Sequence, residues 1–156
     1  MCDLEGRATR MRFASVVLIV VGLVVVPNAE LASQSAPFRV VVNGAQQVST
    51  ISKAQVSKFF LKKETTWAGG QAVMPVDQVD RAPVRASFSQ SVHGRDVSAI
   101  KSYWQRMIFS GTAVPPPEKA NDDEVVAYVK ANPGAVGYVH ADASLPAGVK
   151  AVTLTE

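Results

Sequence analysis

The sequence contains a single cysteine, and its position excludes most of the chemistry that cysteine brings. Cys2 precedes a long apolar run, in a segment that we expect to be removed from the mature protein. The mature chain would then have neither a disulfide nor a thiolate nucleophile, so its core alone must hold the fold together. A lipoprotein-type anchor needs a cysteine directly after the apolar run, and none stands there. We therefore expect no lipid anchor.

Motifs of the readily recognised enzyme classes are also missing. The sequence contains no G-x-S-x-G, P-loop, H-E-x-x-H or dinucleotide fingerprint. The two histidines, His93 and His140, are far apart, and each has a commoner role, near a helix end and at a strand end respectively. Metal sites need several ligands at recognisable spacing. We therefore expect no metal, no cofactor and no enzymatic activity.

The sequence has little excess of charge of either sign. Its formal net charge is +3, and the basic residues are spread along the chain without forming a stripe. Nucleic-acid binding, which needs a clustered basic surface, is therefore not expected. The mild positive excess suits a small anionic ligand.

One long apolar run is present, and it predicts export. Residues 14–26 are apolar and follow Arg7, Arg10 and Arg12, which is the order of a signal peptide. The run is too short to span a bilayer comfortably, because a helix needs about 20 residues. We predict a signal peptide over 1–32, with the cut between residues 29 and 36, and one periplasmic domain over 33–156. The alternatives are an uncleaved anchor and a start at Met11.

Beyond the signal, the apolar pattern predicts strands that alternate with helices. Ser52, Asp96 and Asn121 are each placed to cap a helix. A proline run at 115–117 predicts an extended connection. This alternation indicates an α/β fold with a small mixed sheet covered by helices. The predicted strands are 38–42, 72–76, 135–139 and 150–154, and the predicted helices are 53–63, 83–93, 96–109 and 122–131.

The loop after the second predicted strand holds the best candidates for a site. Asp77 and Asp80 are a close acidic pair at a strand end, which is where open α/β sheets bind ligands. Arg81 and Arg85 flank the start of the next helix, where free N–H groups and arginines together suit an oxyanion. The alternative is that the aspartates form turns and the arginines are solvated. The candidate anion-binding residues are Asp77, Asp80, Arg81, Ala82, Val84 and Arg85.

Three stretches of the sequence have a residue order known from one family. Residues 40–67 give a hydrophobic strand, Asn43, Val-Ser, a helix ending in Phe-Leu-Lys-Lys, and then Trp67, with Lys62 where that family usually has Gly. Residues 132–139 read Asn-Pro-Gly-Ala-Val-Gly-Tyr-Val. Both stretches resemble phosphate-type periplasmic binding proteins, and residues 103–117 are similar to a short subfamily of phosphate ABC transporter substrate-binding proteins. The resemblance implies one lobe of a type II periplasmic binding protein.

This resemblance also implies a phosphate site, from which the sequence departs. Full-length members have two lobes that close on phosphate through helix N-termini and an Arg-x-Asp-Gly-Ser-Gly-Thr loop, and this chain is long enough for one lobe. Asp80 matches the Asp of that loop and Ala82 its Ser, while Gln78 stands where the Arg would be. The Gly, Ser and Thr residues that supply most hydrogen bonds to phosphate have no counterpart.

Two functions follow from these observations. The first is a periplasmic solute-binding-like protein that holds phosphate or another small oxyanion at the loop and serves an ABC transporter permease or a sensor. The second is a ligand-free interaction module that binds an envelope sensor or membrane protein, since the missing second lobe would leave the former cleft surface free.

Overall fold

The structure is a computed structural model that describes residues 37–156. The predicted signal peptide, 1–32, and the predicted cleavage region, 29–36, lie outside the described residues. Within 37–156, no helix has both the length and the apolar character needed to cross a membrane.

The larger sheet is built around the first described strand. β1 (Phe38–Asn43) lies antiparallel to β6 (Ala135–His140) on one side and to β7 (Val149–Thr155) on the other. At the edges, β2 (Thr50–Ser52) pairs with β7 and β3 (Met74–Pro75) pairs with β6, both in parallel. The order β2-β7-β1-β6-β3 makes a mixed sheet, which confirms the predicted fold class.

A second sheet has two short strands, and it corrects one prediction. β4 (Asp77–Gln78) pairs in parallel with β5 (Glu118–Lys119). The predicted strand 72–76 is therefore wrong in extent. After β3, the amide of Asp77 donates to the carbonyl of Pro117 at 2.9 Å, so the chain leaves the larger sheet at this point. The proline connection that was predicted to be merely extended supplies the new partner strand.

The helices begin where their caps were predicted. α1 (Lys53–Phe60) is shorter than predicted, because Lys62 adopts a positive φ of 51° just beyond it. α2 (Pro83–Phe88) runs into a π-helical turn (Ser89–His93). The remaining helices are α3 (Val97–Phe109) and α4 (Asp122–Ala131), and the side chains that cap α1, α3 and α4 are those of Ser52, Asp96 and Asn121.

The core has two halves, one on each face of the larger sheet, and a smaller third cluster in which Ile100 and Trp104 of α3 are buried with Leu61. Val40 and Val42 of β1 point to the half that contains α1 and α2, whereas Val41 points to the half that contains α4. This alternation follows from the period of two along a strand. The aromatic centre of the first half is a stacked pair, Phe88 on Tyr138, with ring centroids 3.8 Å apart and an interplanar angle of 6°.

His93 ends the π-helical turn, is half-buried, and packs against the first half of the core. Its Nδ1 lies 2.8 Å from the Ser57 hydroxyl, and its ring meets Phe88 edge-on at 5.4 Å. Burial, together with the charges of Arg85 and Arg95, lowers the pKa of His93 from 6.5 to about 4. The helix ends here because Gly94 takes a left-handed conformation, as the sequence predicts.

Gly134 is required by the close approach of β3 to β6. A Cβ at this position would lie 2.1 Å from the backbone oxygen of Ala72, a distance that no rotamer change relieves. We expect Gly134→Ala to lower the free energy of unfolding by about 1–3 kcal/mol, because the edge strand must shift. Urea unfolding monitored by circular dichroism measures this change. Gly69→Ala is the matched control, since nothing lies within 4 Å of its Cβ; equal losses in both variants would contradict the prediction.

The lowered pKa of His93 predicts acid sensitivity. In the unfolded chain this ring takes up a proton below about pH 6.5, whereas in the folded chain it does so only near pH 4. Stability should therefore fall as the pH drops through that window, by up to about 3 kcal/mol from this group. Urea unfolding of the wild type and His93→Gln at pH 7.5 and pH 4.5 isolates the effect. The same loss in both proteins would show that His93 does not cause it.

Candidate functional site

The candidate loop runs from the second sheet into α2. Asp77 and Gln78 are fixed by their pairing with β5, and the amide of Val79 continues the pairing by donating to the Lys119 carbonyl at 3.0 Å. The amide of Ala82 then donates to the Val79 carbonyl at 2.9 Å, which closes a turn. Pro83 follows as the first residue of α2, and the helix has no side-chain cap. The loop is therefore held mainly by backbone hydrogen bonds.

Arg85 is the most buried charged residue of the loop, with 3% of its surface exposed. Its Nη1 lies 2.7 Å from Asp77 Oδ1 and 3.4 Å from Glu118 Oε1, and it donates to the Gln78 carbonyl. Its Nε lies 3.5 Å from Asp80 Oδ1. Three carboxylates thus surround one guanidinium. The positive charge that the sequence offered to an oxyanion is already neutralised by the protein.

Asp77 connects Arg85 to the larger sheet. Its Oδ1 accepts hydrogen bonds from the Gln78 amide at 2.8 Å and from the Tyr138 hydroxyl of β6. Burial raises the pKa of Asp77, and the charge of Arg85 opposes that rise. The pKa of Tyr138 is also raised, first by burial and then by the charge of Asp77, so its hydroxyl stays protonated and donates. Asp77, Arg85 and Tyr138 thus form a buried network that connects the loop to the larger sheet.

The other candidate residues divide between core and solvent. Val84 is buried, and Ala82 packs against the same half of the core. Asp80 is exposed, and its second oxygen lies 3.2 Å from Lys101 Nζ. Arg81 is exposed and makes no hydrogen bond or ion pair with any residue of the described chain. The structure therefore brings Asp77, Asp80 and Arg85 together and leaves Arg81 apart.

Gln78 shows what replaces the arginine that the resemblance implies at this position. Its Nε2 donates to Asp122 Oδ1 at 2.8 Å and to the Tyr138 carbonyl at 3.0 Å. The other oxygen of Asp122 lies 2.8 Å from His140 Nδ1 and accepts from the His140 amide. A carboxylate of the protein thus occupies the start of α4. Neither Asp122 nor His140 was singled out as a site residue from the sequence.

Sequence reasoning also missed Glu118, Lys101 and Trp104. Together with Asp80 and Arg85, they line a cleft of about 270 Å³ between α2, α3 and β5. Glu118 sits in the proline connection, where nothing in the local pattern points to a buried arginine. Within residues 37–156 there is no cluster of three or more side chains suited to hold a metal ion.

No protein-family model matches the chain, and no curated protein matches it. Solved structures do match. An ABC-type phosphate transport receptor from Vibrio cholerae gives a TM-score of 0.59 at 20% identity, over 76% of this chain and 46% of that one. This chain shares the fold of that receptor. A possible phosphate binding protein from Planctomyces limnophilus gives 0.56 at 17% identity, over 77% and 42%.

A third match carries its ligand. The structure from Clostridium perfringens, described as a phosphate ABC transporter substrate-binding protein with bound phosphate, gives a TM-score of 0.57 at 16% identity, over 76% of this chain and 44% of that one. The chain thus spans less than half the length of each of these neighbours. All three are binding proteins by description, and the shared feature is the type II periplasmic-binding-protein fold.

The contacts of Arg85 predict that this residue stabilises the fold. Arg81 is exposed and has no such contacts among the described residues, so we expect it to contribute little to stability. Arg85→Ala leaves Asp77 buried without its partner, so we expect the free energy of unfolding to fall by about 3–5 kcal/mol. Arg81→Ala removes an exposed charge and should change it by less than about 0.5 kcal/mol. Urea unfolding at neutral pH measures both. Wild-type stability in Arg85→Ala would mean that the guanidinium is not needed by the fold.

Proposed function

We propose that this domain uses a solute-binding fold as a protein-interaction module in the bacterial envelope, exported to the periplasm and without enzymatic activity. The observation that carries the proposal is the neutralised Arg85. A phosphate receptor needs uncompensated donors at its loop, because every bond to the anion competes with water. Here the buried cation of the loop faces Asp77, Asp80 and Glu118 instead.

The end of α3 supplies a surface that suits a protein partner. Phe109 is 90% exposed, and two apolar residues close to it in the sequence, Ile108 and Val114, are exposed as well. A large aromatic side chain in water at a helix end contributes nothing to this core, whereas buried aromatic residues anchor protein interfaces. We call these three residues the α3 end patch. An envelope sensor or a transporter permease with an apolar recess is the expected partner.

A photo-reactive amino acid placed at Phe109 tests the docking function. In intact cells of the native host, with the chain expressed at full length, we expect a single stoichiometric adduct with one envelope protein. The matched control places the same amino acid at Ala127, an exposed position on α4. Phe109→Ser in a chain labelled at Ile108 should remove most of the adduct. Adducts of equal yield from positions 109 and 127, or none at 109, would contradict docking through this patch.

A second candidate function keeps the small oxyanion, with phosphate as its first test. The observation in its favour is Arg81, which is exposed beside Ala82 at the start of α2 and is not engaged by a carboxylate of the described chain. Here the site would comprise the exposed part of the 77–85 loop. Calorimetry with phosphate measures it, and Arg81→Ala should abolish the heat. The docking function predicts no heat at millimolar phosphate in either protein.

A further inference from the structure

The cleft between α2, α3 and β5 has the features of a second, small-molecule site. We call it the α3 cleft. Its volume of about 270 Å³ lies just below the usual range of ligand pockets, about 300–1,000 Å³, which suits a molecule of a few heavy atoms. It is lined by Asp80, Arg85, Lys101, Trp104, Gln105, Ile108, Pro115 and Glu118.

Two cations lie beside the α3 cleft. The guanidinium of Arg85 is buried behind it, and its Nε has only the 3.5 Å approach to Asp80 among the described residues. At the rim, Lys101 is exposed and contacts only Asp80, at 3.2 Å. The ammonium group of Lys101 can therefore donate to a carboxylate of a ligand.

Two carboxylates of the α3 cleft, those of Asp80 and Glu118, have exposed oxygens that can accept further hydrogen bonds. Side-chain exposure is 44% for Asp80 and 46% for Glu118. The contact of Glu118 with Arg85 Nη1 is 3.4 Å, longer than an ordinary charge-assisted hydrogen bond, so its oxygens retain free lone pairs. These two carboxylates would accept hydrogen bonds from an ammonium group.

Apolar side chains complete the wall. Trp104 is buried and forms the inner side, while Ile108 and Pro115 form the outer side. A ligand with a short aliphatic body would cover this surface and remove it from water. The cleft thus combines donors, acceptors and an apolar wall within one small volume.

We propose that the α3 cleft binds a small zwitterion, an α-amino acid with an aliphatic side chain. Its carboxylate would bind Lys101 at the rim, and its ammonium group would bind Asp80 and Glu118. The charged side chains that line the cleft, Asp80, Glu118, Arg85 and Lys101, sum to zero, which suits a ligand without net charge. A simple amine would leave Lys101 without an acceptor from the ligand, and a simple anion would leave the two exposed carboxylates without a donor, whereas a zwitterion pairs with both.

Isothermal calorimetry of the purified full-length chain tests this proposal with four probes. L-leucine carries both charges, isoamylamine only the ammonium, 4-methylpentanoate only the carboxylate, and inorganic phosphate neither the ammonium nor the aliphatic body. We expect saturable heat with leucine, and at least about tenfold weaker binding of the amine and the acid, because each loses one charged pair. The absence of leucine heat at about 10 mM leucine would overturn the proposal. Equal affinity for leucine and the amine would overturn it as well.

Variants place the binding in the cleft. Glu118→Gln and Lys101→Met should each weaken leucine binding by about tenfold or more, since each removes a charged partner. Asp142→Asn is the control, because Asp142 is exposed and does not line the cleft. Melting temperatures of all variants report whether each one folds. Unchanged leucine affinity in folded Glu118→Gln would overturn the site. The adduct at Phe109 is measured separately, so the docking function stands or falls independently.

Discussion

The guanidinium of Arg85 joins parts of the chain that are distant in sequence. It lies on α2, contacts Asp77 of β4 and Glu118 of β5, and through Asp77 reaches the Tyr138 hydroxyl of β6. Tyr138 in turn stacks on Phe88, one turn along α2 from Arg85, so the connection closes on itself. A buried ion pair adds little net stability, yet breaking it leaves an uncompensated charge. This network ties both ends of the loop between β4 and α2 to the sheets, in addition to the backbone hydrogen bonds along the loop.

Most of the regular structure follows from local patterns in the sequence. Helix caps such as Ser52 and Asn121 act within one turn, and the β-branched run of β1 alternates between the two faces of its sheet, so a short window contains the signal. The pairing of β4 with β5 involves two residues on each side, too few for any pattern. Their alignment depends on the proline connection, which reaches back across the fold. Long-range hydrogen bonds of this kind have no local signature.

The candidate site divides in the same way. The sequence placed Asp77, Asp80 and Arg85 in one loop, and the structure brings their charges together. The local sequence does not show which groups surround Arg85. Glu118 comes from a distant part of the chain, and its carboxylate helps to enclose an arginine that the sequence predicted to be open to a ligand. Gln78 is similar, because its side-chain amide donates to the carboxylate of Asp122 on α4 and is not available to a bound anion. A resemblance to phosphate-binding proteins therefore describes the scaffold more reliably than the ligand.

The position of β7 has a consequence for the order of assembly. This strand is the last element of the described chain, yet it lies inside the sheet, pairing with β1 on one edge and β2 on the other. Val41 of β1 faces Ala151 across that pairing, so one edge of β1 stays unpaired until β7 docks. Any state of the protein in which β7 is detached therefore exposes a β-branched strand edge from the middle of the sheet. Such an edge can pair with another chain, so the attachment of β7 also protects the protein from aggregation.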